Sequence, residues 1–223
     1  MKLITLLMTL AAFAMTSCEE KGEVKTSPDV RTFGLIGDVK EVYLSQELIS
    51  NSAGPYKGED PWLIEDFLDL SFNEKGLVTD ANGLSYAYDA DGNYLPGKPE
   101  RGKMIRDAQG RIEKIYDYTQ EAEWEGGVED PEGCLDRQFT YDDQGRPVAE
   151  FTGSSTTAYT YEGDNPYPAS CTYETYDVTT VTYEYKQFDA KGNWTERIAT
   201  FNCPSDAYPT IHREVRTITY WSE

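Results

Sequence analysis

The chain has 223 residues, with 20 Lys plus Arg against 40 Asp plus Glu and a single His, a formal charge of −20 at pH 7. A phosphate binder needs a basic stripe to displace counterions, and none is present, so nucleic acid is excluded as a partner. With 39% hydrophobic residues the chain can bury a core, while 17 Tyr, 18 Gly and 11 Pro point to strands and turns rather than helices.

The N-terminus reads as an address. Lys2 gives a short positive start, residues 3–15 form an apolar run of signal-peptide length, and the small residues Thr16 and Ser17 stand before Cys18. Met15-Thr16-Ser17-Cys18 resembles the lipobox of bacterial lipoproteins, which implies cleavage before Cys18 and lipid attachment to it. Glu19-Glu20-Lys21 is similar to the acidic export tag of surface lipoproteins in the Bacteroidetes group, which implies the outer membrane and its outer face. The expected organisation is a signal peptide over 1–17, a lipidated Cys and polar tether over 18–30, and one domain over 31–223. The acidic body is repelled by anionic membranes, so membrane contact is expected only through the lipid.

Strands are predicted at 39–46, 68–72, 84–88, 111–118, 139–141, 159–161, 181–185, 194–201 and 214–221, where apolar or aromatic residues alternate with polar ones. Between them recurs a corner: aromatic, Asp or Asn, two small or polar residues, then Gly. Its copies are Phe72-Asn73-Glu74-Lys75-Gly76, Tyr88-Asp89-Ala90-Asp91-Gly92, Tyr141-Asp142-Asp143-Gln144-Gly145 and Phe188-Asp189-Ala190-Lys191-Gly192. In Asp107-Ala108-Gln109-Gly110 the aromatic is replaced by Arg106, and Tyr161-Glu162-Gly163 is a degenerate copy. Asp or Asn can hydrogen-bond the turn backbone, and Gly accepts the positive φ that closes a bulged hairpin. Gly76, Gly92, Gly110, Gly145 and Gly192 are therefore read as structural turn residues. The period of two places aromatics on one face and threonines such as Thr140, Thr160 and Thr182 on the other.

Three stretches interrupt this rhythm. Residues 51–65 read as a loop with one helical turn, capped by Asp60 and begun by Pro61; residues 121–133 read as an acidic loop around Trp124; residues 202–208 read as an irregular connection. The fold class that follows is all-β, an antiparallel meander of about ten strands in one curled or partly closed sheet, with little helix.

The aromatic-Asp-x-x-Gly-Arg corner resembles the YD repeat of the rearrangement-hotspot family, whose members are spiralled β sheets. The likeness covers most of residues 35–221. The uneven spacing of the corner glycines and the short array do not support the chamber-building role of that family, and carbohydrate binding is what the resemblance implies for function.

Other chemistry is weakly signalled. Asp89-Ala90-Asp91-Gly92-Asn93 has alternate carboxylates, but its Gly falls too early for an EF-hand loop. Cys134, Cys171 and Cys203 are too widely spaced for a zinc site, permit at most one bridge, and leave one free thiol. His212 has no spaced nucleophile motif beside it, and with 40 acids a carboxylate pair at glycosidase separation arises by chance. No enzyme, cofactor or metal site is expected. The expected function is a non-catalytic binding module for a glycan or an envelope protein, with the loop residues Trp62 and Trp124 as ligand-stacking candidates. The alternatives are a structural accessory of an envelope complex and, third, a polysaccharide hydrolase.

Overall fold

The computed structural model describes residues 26–51, 54–55, 63–81, 83–95, 102–117, 134–153, 155–174 and 177–222. Cys18, Trp62, Trp124, the turn at Asp60-Pro61 and the acidic loop over 121–133 lie outside the described residues. The described chain is all-β apart from one short helix, α1 (Pro28–Thr32). The strands are β1 (Val39–Asn51), β2 (Gly54–Pro55), β3 (Leu63–Phe72), β4 (Val78–Ala81), β5 (Leu84–Ser85), β6 (Gly102–Arg106) and β7 (Ile112–Asp117). They continue as β8 (Cys134–Tyr141), β9 (Pro147–Phe151), β10 (Thr156–Thr160), β11 (Ser170–Glu174), β12 (Val178–Phe188), β13 (Trp194–Asn202) and β14 (Thr210–Tyr220).

All fourteen join one antiparallel sheet, in the order β5-β4-β3-β1-β14-β13-β12-β11-β10-β9-β8-β7-β6 with β2 attached to β1. The count exceeds the ten expected because β2, β4, β6, β9 and β11 are short, two to five residues each, too short to show a clear alternation. The order departs from a plain meander in one respect: β1 pairs with both β3 and β14, so the chain starts mid-sheet, runs to one end, and restarts at the other. The end strands β5 and β6 are not paired with each other, yet the sheet curls until their ends share a core. Tyr86 and Met104 belong to one buried cluster with Val42, Leu70, Ile115 and Phe139, and the Tyr88 hydroxyl lies 3.9 Å from the Met104 sulfur.

The five corners share one geometry. Asp89, Asp107, Asp142, Asp189 and Asn73 each accept through Oδ1 from the backbone N–H two and four residues on, at 2.8–3.0 Å. The Gly N–H returns to the carbonyl of the same Asp or Asn. The glycines have φ between 72° and 92°. The residue before each corner, aromatic in four and Arg106 in the fifth, pairs with the residue six positions on, as in Phe72 with Val78 and Phe188 with Trp194, and a register shift precedes these two pairs. The extra residue is the bulge that adds local twist, and repetition along the chain curls the sheet.

Alternation sets the two faces. Across β10, β11 and β12, Thr156, Thr160, Thr172 and Thr182 are exposed, whereas Cys171 and Val181 are buried and Tyr159 and Tyr183 half-buried on the concave face.

Two expectations need correction. The tether does not extend to residue 30: Ser27 caps α1, Pro28 opens it, and Asp29 and Val30 are wholly buried. The carboxylate of Asp29 accepts from Val78 N–H at 2.9 Å and from the Arg106 guanidinium, which fastens α1 across one end of the curl. The residues over 51–65 are also not all loop, because Gly54–Pro55 pair with Ser50 and Asn51, and β3 begins at Leu63.

Candidate functional site

The concave face divides into an apolar end, covered by α1 with Val30 and Leu35, and an aromatic and charged part. In the second part lies a cavity of about 480 Å³, a size suited to a small ligand. Strand register builds it row by row. Tyr159, Cys171, Val181 and Phe201 are successive partners across β10 to β13, and Tyr185, Arg197, Glu214 and Gln46 are successive partners across β12, β13, β14 and β1. Leu44 pairs with Arg216 one pleat further along.

Charge inside this face is organised by arginine. Glu214, 2% exposed, accepts from Arg197 Nε and, at 2.7 Å, from Gln46 Nε2. The Arg197 guanidinium lies 4.0 Å from the Tyr183 ring centre and 4.3 Å from that of Trp194. Burial works against its charge, but Glu214 more than offsets this and holds it above the ordinary arginine range. On the β8–β9 side, Arg137 donates to Glu150 at 3.0 Å, and the Tyr159 hydroxyl donates to the other carboxylate oxygen at 2.7 Å. Arg216 differs. Its guanidinium stacks 3.8 Å from the centre of the Trp194 ring and donates to the Gly34 carbonyl at 3.3 Å, but its Nε is buried without a partner. Burial, followed by repulsion from Arg197, pulls it down to about 9.

Aromatic hydroxyls and a thiol complete the lining. The Tyr183 hydroxyl and the Cys171 sulfur are 3.2 Å apart, and burial raises both above their ordinary ranges. Cys171 and Cys203 are unbridged. The chemistry available here is therefore stacking, hydrogen bonding and charge recognition. Both cavity carboxylates are paired with arginine, Glu150 with Arg137 and Glu214 with Arg197.

The sequence-predicted residues fall in different places. Gly76, Gly92, Gly110, Gly145 and Gly192 sit at the corners between strands, away from the cavity lining. His212 packs its ring 5.1 Å from that of Phe201, and burial lowers its proton affinity. Sequence reasoning missed Arg137, Glu150, Arg197, Glu214 and Arg216. A signal did exist: Glu214 and Arg216 occupy the same phase of β14 as Ile218 and Tyr220, and Arg197 the same phase of β13 as Ala199 and Phe201. Trp194, the first residue of β13, lies 1% exposed at the centre of the charged group.

No protein-family model matches the chain, and no curated protein matches it. Among solved structures, the chain is similar to a porin-like protein from Bacteroides uniformis. The two share 13% sequence identity with a TM-score of 0.36, over 81% of this chain and 96% of that one. A likeness this distant carries no argument about function.

Proposed function

We propose that this is a non-catalytic envelope protein, anchored by lipid at Cys18 and exposed at the cell surface, that holds a saccharide in its aromatic concave interior. The single observation that carries the reading is the cavity itself: Tyr159, Tyr161, Tyr173 and Tyr183 line one space of about 480 Å³ together with hydrogen-bonding groups. Aromatic faces offer sugar rings apolar contact, while hydroxyls, amide and guanidinium groups meet sugar hydroxyls. The arginine-paired state of Glu150 and Glu214 supports binding over hydrolysis.

A glycan array probed with the full chain in detergent tests this. Binding to a saccharide, reduced about 10-fold by Tyr173→Ala as expected for loss of one stacking ring, supports it. Silence on the array, with a protein recovered by crosslinking in cells, favours the scaffold reading instead. That alternative draws on the end strands β5 and β6, each paired on one side among the described residues. Fatty-acid labelling that disappears in Cys18→Ser tests the anchor.

A further inference from the structure

We infer that the ligand of this cavity carries a carboxylate seated against Arg216, so that the saccharide is a uronic acid or a similar acidic sugar. This rests on the saccharide reading and narrows it.

The argument is an inventory of charge. The cavity is lined by three guanidiniums, Arg137, Arg197 and Arg216, and two carboxylates, Glu150 and Glu214. Each carboxylate is committed: Glu150 to Arg137 and Tyr159, Glu214 to Arg197 and Gln46. Among the described residues, Arg216 has no carboxylate within ion-pair distance and its Nε has no hydrogen-bond partner. The lining thus carries one surplus positive charge, inside a chain whose formal charge is −20.

Arg216 is half-buried, with its Nε shielded from solvent; a charge held there without a counterion is a cost, and an apolar residue of similar size is often as stable or more so. Stability therefore does not account for Arg216 at this position, whereas an anionic partner does. The surplus is a single charge, which a monoanion neutralises and a dianionic phosphate monoester would overshoot. The guanidinium presents a planar fork that matches the two oxygens of a carboxylate. Trp194 fixes the plane of that fork from one side, at 3.8 Å. The depressed proton affinity of Arg216 fits the same picture, because a bound carboxylate would remove the imbalance between burial and Arg197 that causes it. The negative body of the chain opposes an approaching anion at low salt, but at physiological ionic strength this is screened beyond about 8 Å.

Calorimetric titration of the full chain in detergent, with matched neutral and uronic-acid disaccharides in gluco, galacto and manno configuration, provides the test. At least one acidic disaccharide is expected to bind 10-fold or more tightly than its neutral counterpart. Arg216→Gln should weaken the acidic disaccharide 10-fold or more and its neutral counterpart by much less, so that the preference is lost, and Arg216→Lys should retain part of it. Neutral disaccharides bound as tightly as acidic ones would overturn the carboxylate inference and leave the saccharide reading standing. Binding of no pair would overturn both. If the variants do not fold by circular dichroism, the comparison within the wild-type chain decides alone.

Discussion

Arg111 places its guanidinium 4.2 Å from the centre of the Tyr141 ring while its Nε donates to Asp107 at 2.6 Å. One corner of the repeat is thereby clasped to the aromatic of the next. Arg146 repeats the arrangement, bonded to Asp142 at 2.8 Å and lying 4.4 Å from the Tyr161 ring centre. The Asp-x-x-Gly-Arg signature therefore has two roles, closing its own turn and stacking neighbouring hairpins in register. Arg111→Ala is expected to destabilise the protein by about 1–2 kcal/mol, the sum of a partly desolvated cation–π contact and a partly buried ion pair. Arg146→Ala should behave alike, and the double substitution should be close to additive because the two arginines serve different corners. Urea denaturation followed by circular dichroism reads all three.

Gly145 has φ of 79°, a conformation costing roughly 1–2 kcal/mol for a residue with a Cβ, and an added Cβ would meet only the Arg111 guanidinium at 3.8 Å, an ordinary contact. Gly145→Ala should lose about that much. Gly76→Ala should lose more, because its Cβ would fall 2.6 Å from the Ser27 hydroxyl that caps α1. Hydrogen exchange is expected to show α1 opening faster in the second variant only.

Asp29 and Arg106 form a buried bridge between α1 and the end of the sheet, with the carboxylate wholly inaccessible. Removing one partner leaves the other charge without compensation, so Asp29→Asn should cost about 3–5 kcal/mol. Loss of both charges in Asp29→Asn with Arg106→Gln should cost less than the two single losses combined, which a double-mutant cycle measures directly.

Alkaline pH should unfold the protein through its tyrosines. Burial raises Tyr86, Tyr88, Tyr141 and Tyr161 above the ordinary 10.0. The folded state keeps these protons at a pH where the unfolded chain releases them, so the unfolded state binds fewer protons and stability falls as pH rises above about 10. Arg216, drawn down to about 9 from 12.5, acts in the opposite direction over that interval, but it is one group against these four and against Tyr159, Tyr167, Tyr183 and Tyr185, which burial raises too. The part of the tyrosinate absorbance that belongs to these buried rings should therefore rise together with the loss of strand circular dichroism.

The corners and the two-faced strands were legible because their signals are local. Asp142 and Gly145 write a turn within four residues, and the Tyr-Thr alternation of β10 and β12 writes its own phase. The interior charge was not legible because it depends on partners far apart in sequence. Gln46 meets Glu214 across 168 positions, and Glu214 considered alone is an ordinary polar residue in a strand. Residues 26–30 misled for a different reason: Ser27-Pro28-Asp29 has the composition of a linker and also the grammar of a helix start, and burial against Val78 and Arg106 decides between them. Trp194 lies on the concave face of the sheet, while Trp62 and Trp124 lie outside the described residues.

The central claim is that ligand enters the interior of the curl and not its threonine face or its loops. Thr157 lies on β10 opposite Tyr173 and lines the cavity, so Thr157→Trp would fill the space without touching the outer surface. Titration of this variant beside the wild type, with the saccharide selected on the array, should show binding abolished while the melting temperature stays within a few degrees. Undiminished affinity in the filled variant would contradict the account and move the binding site to the outside of the sheet.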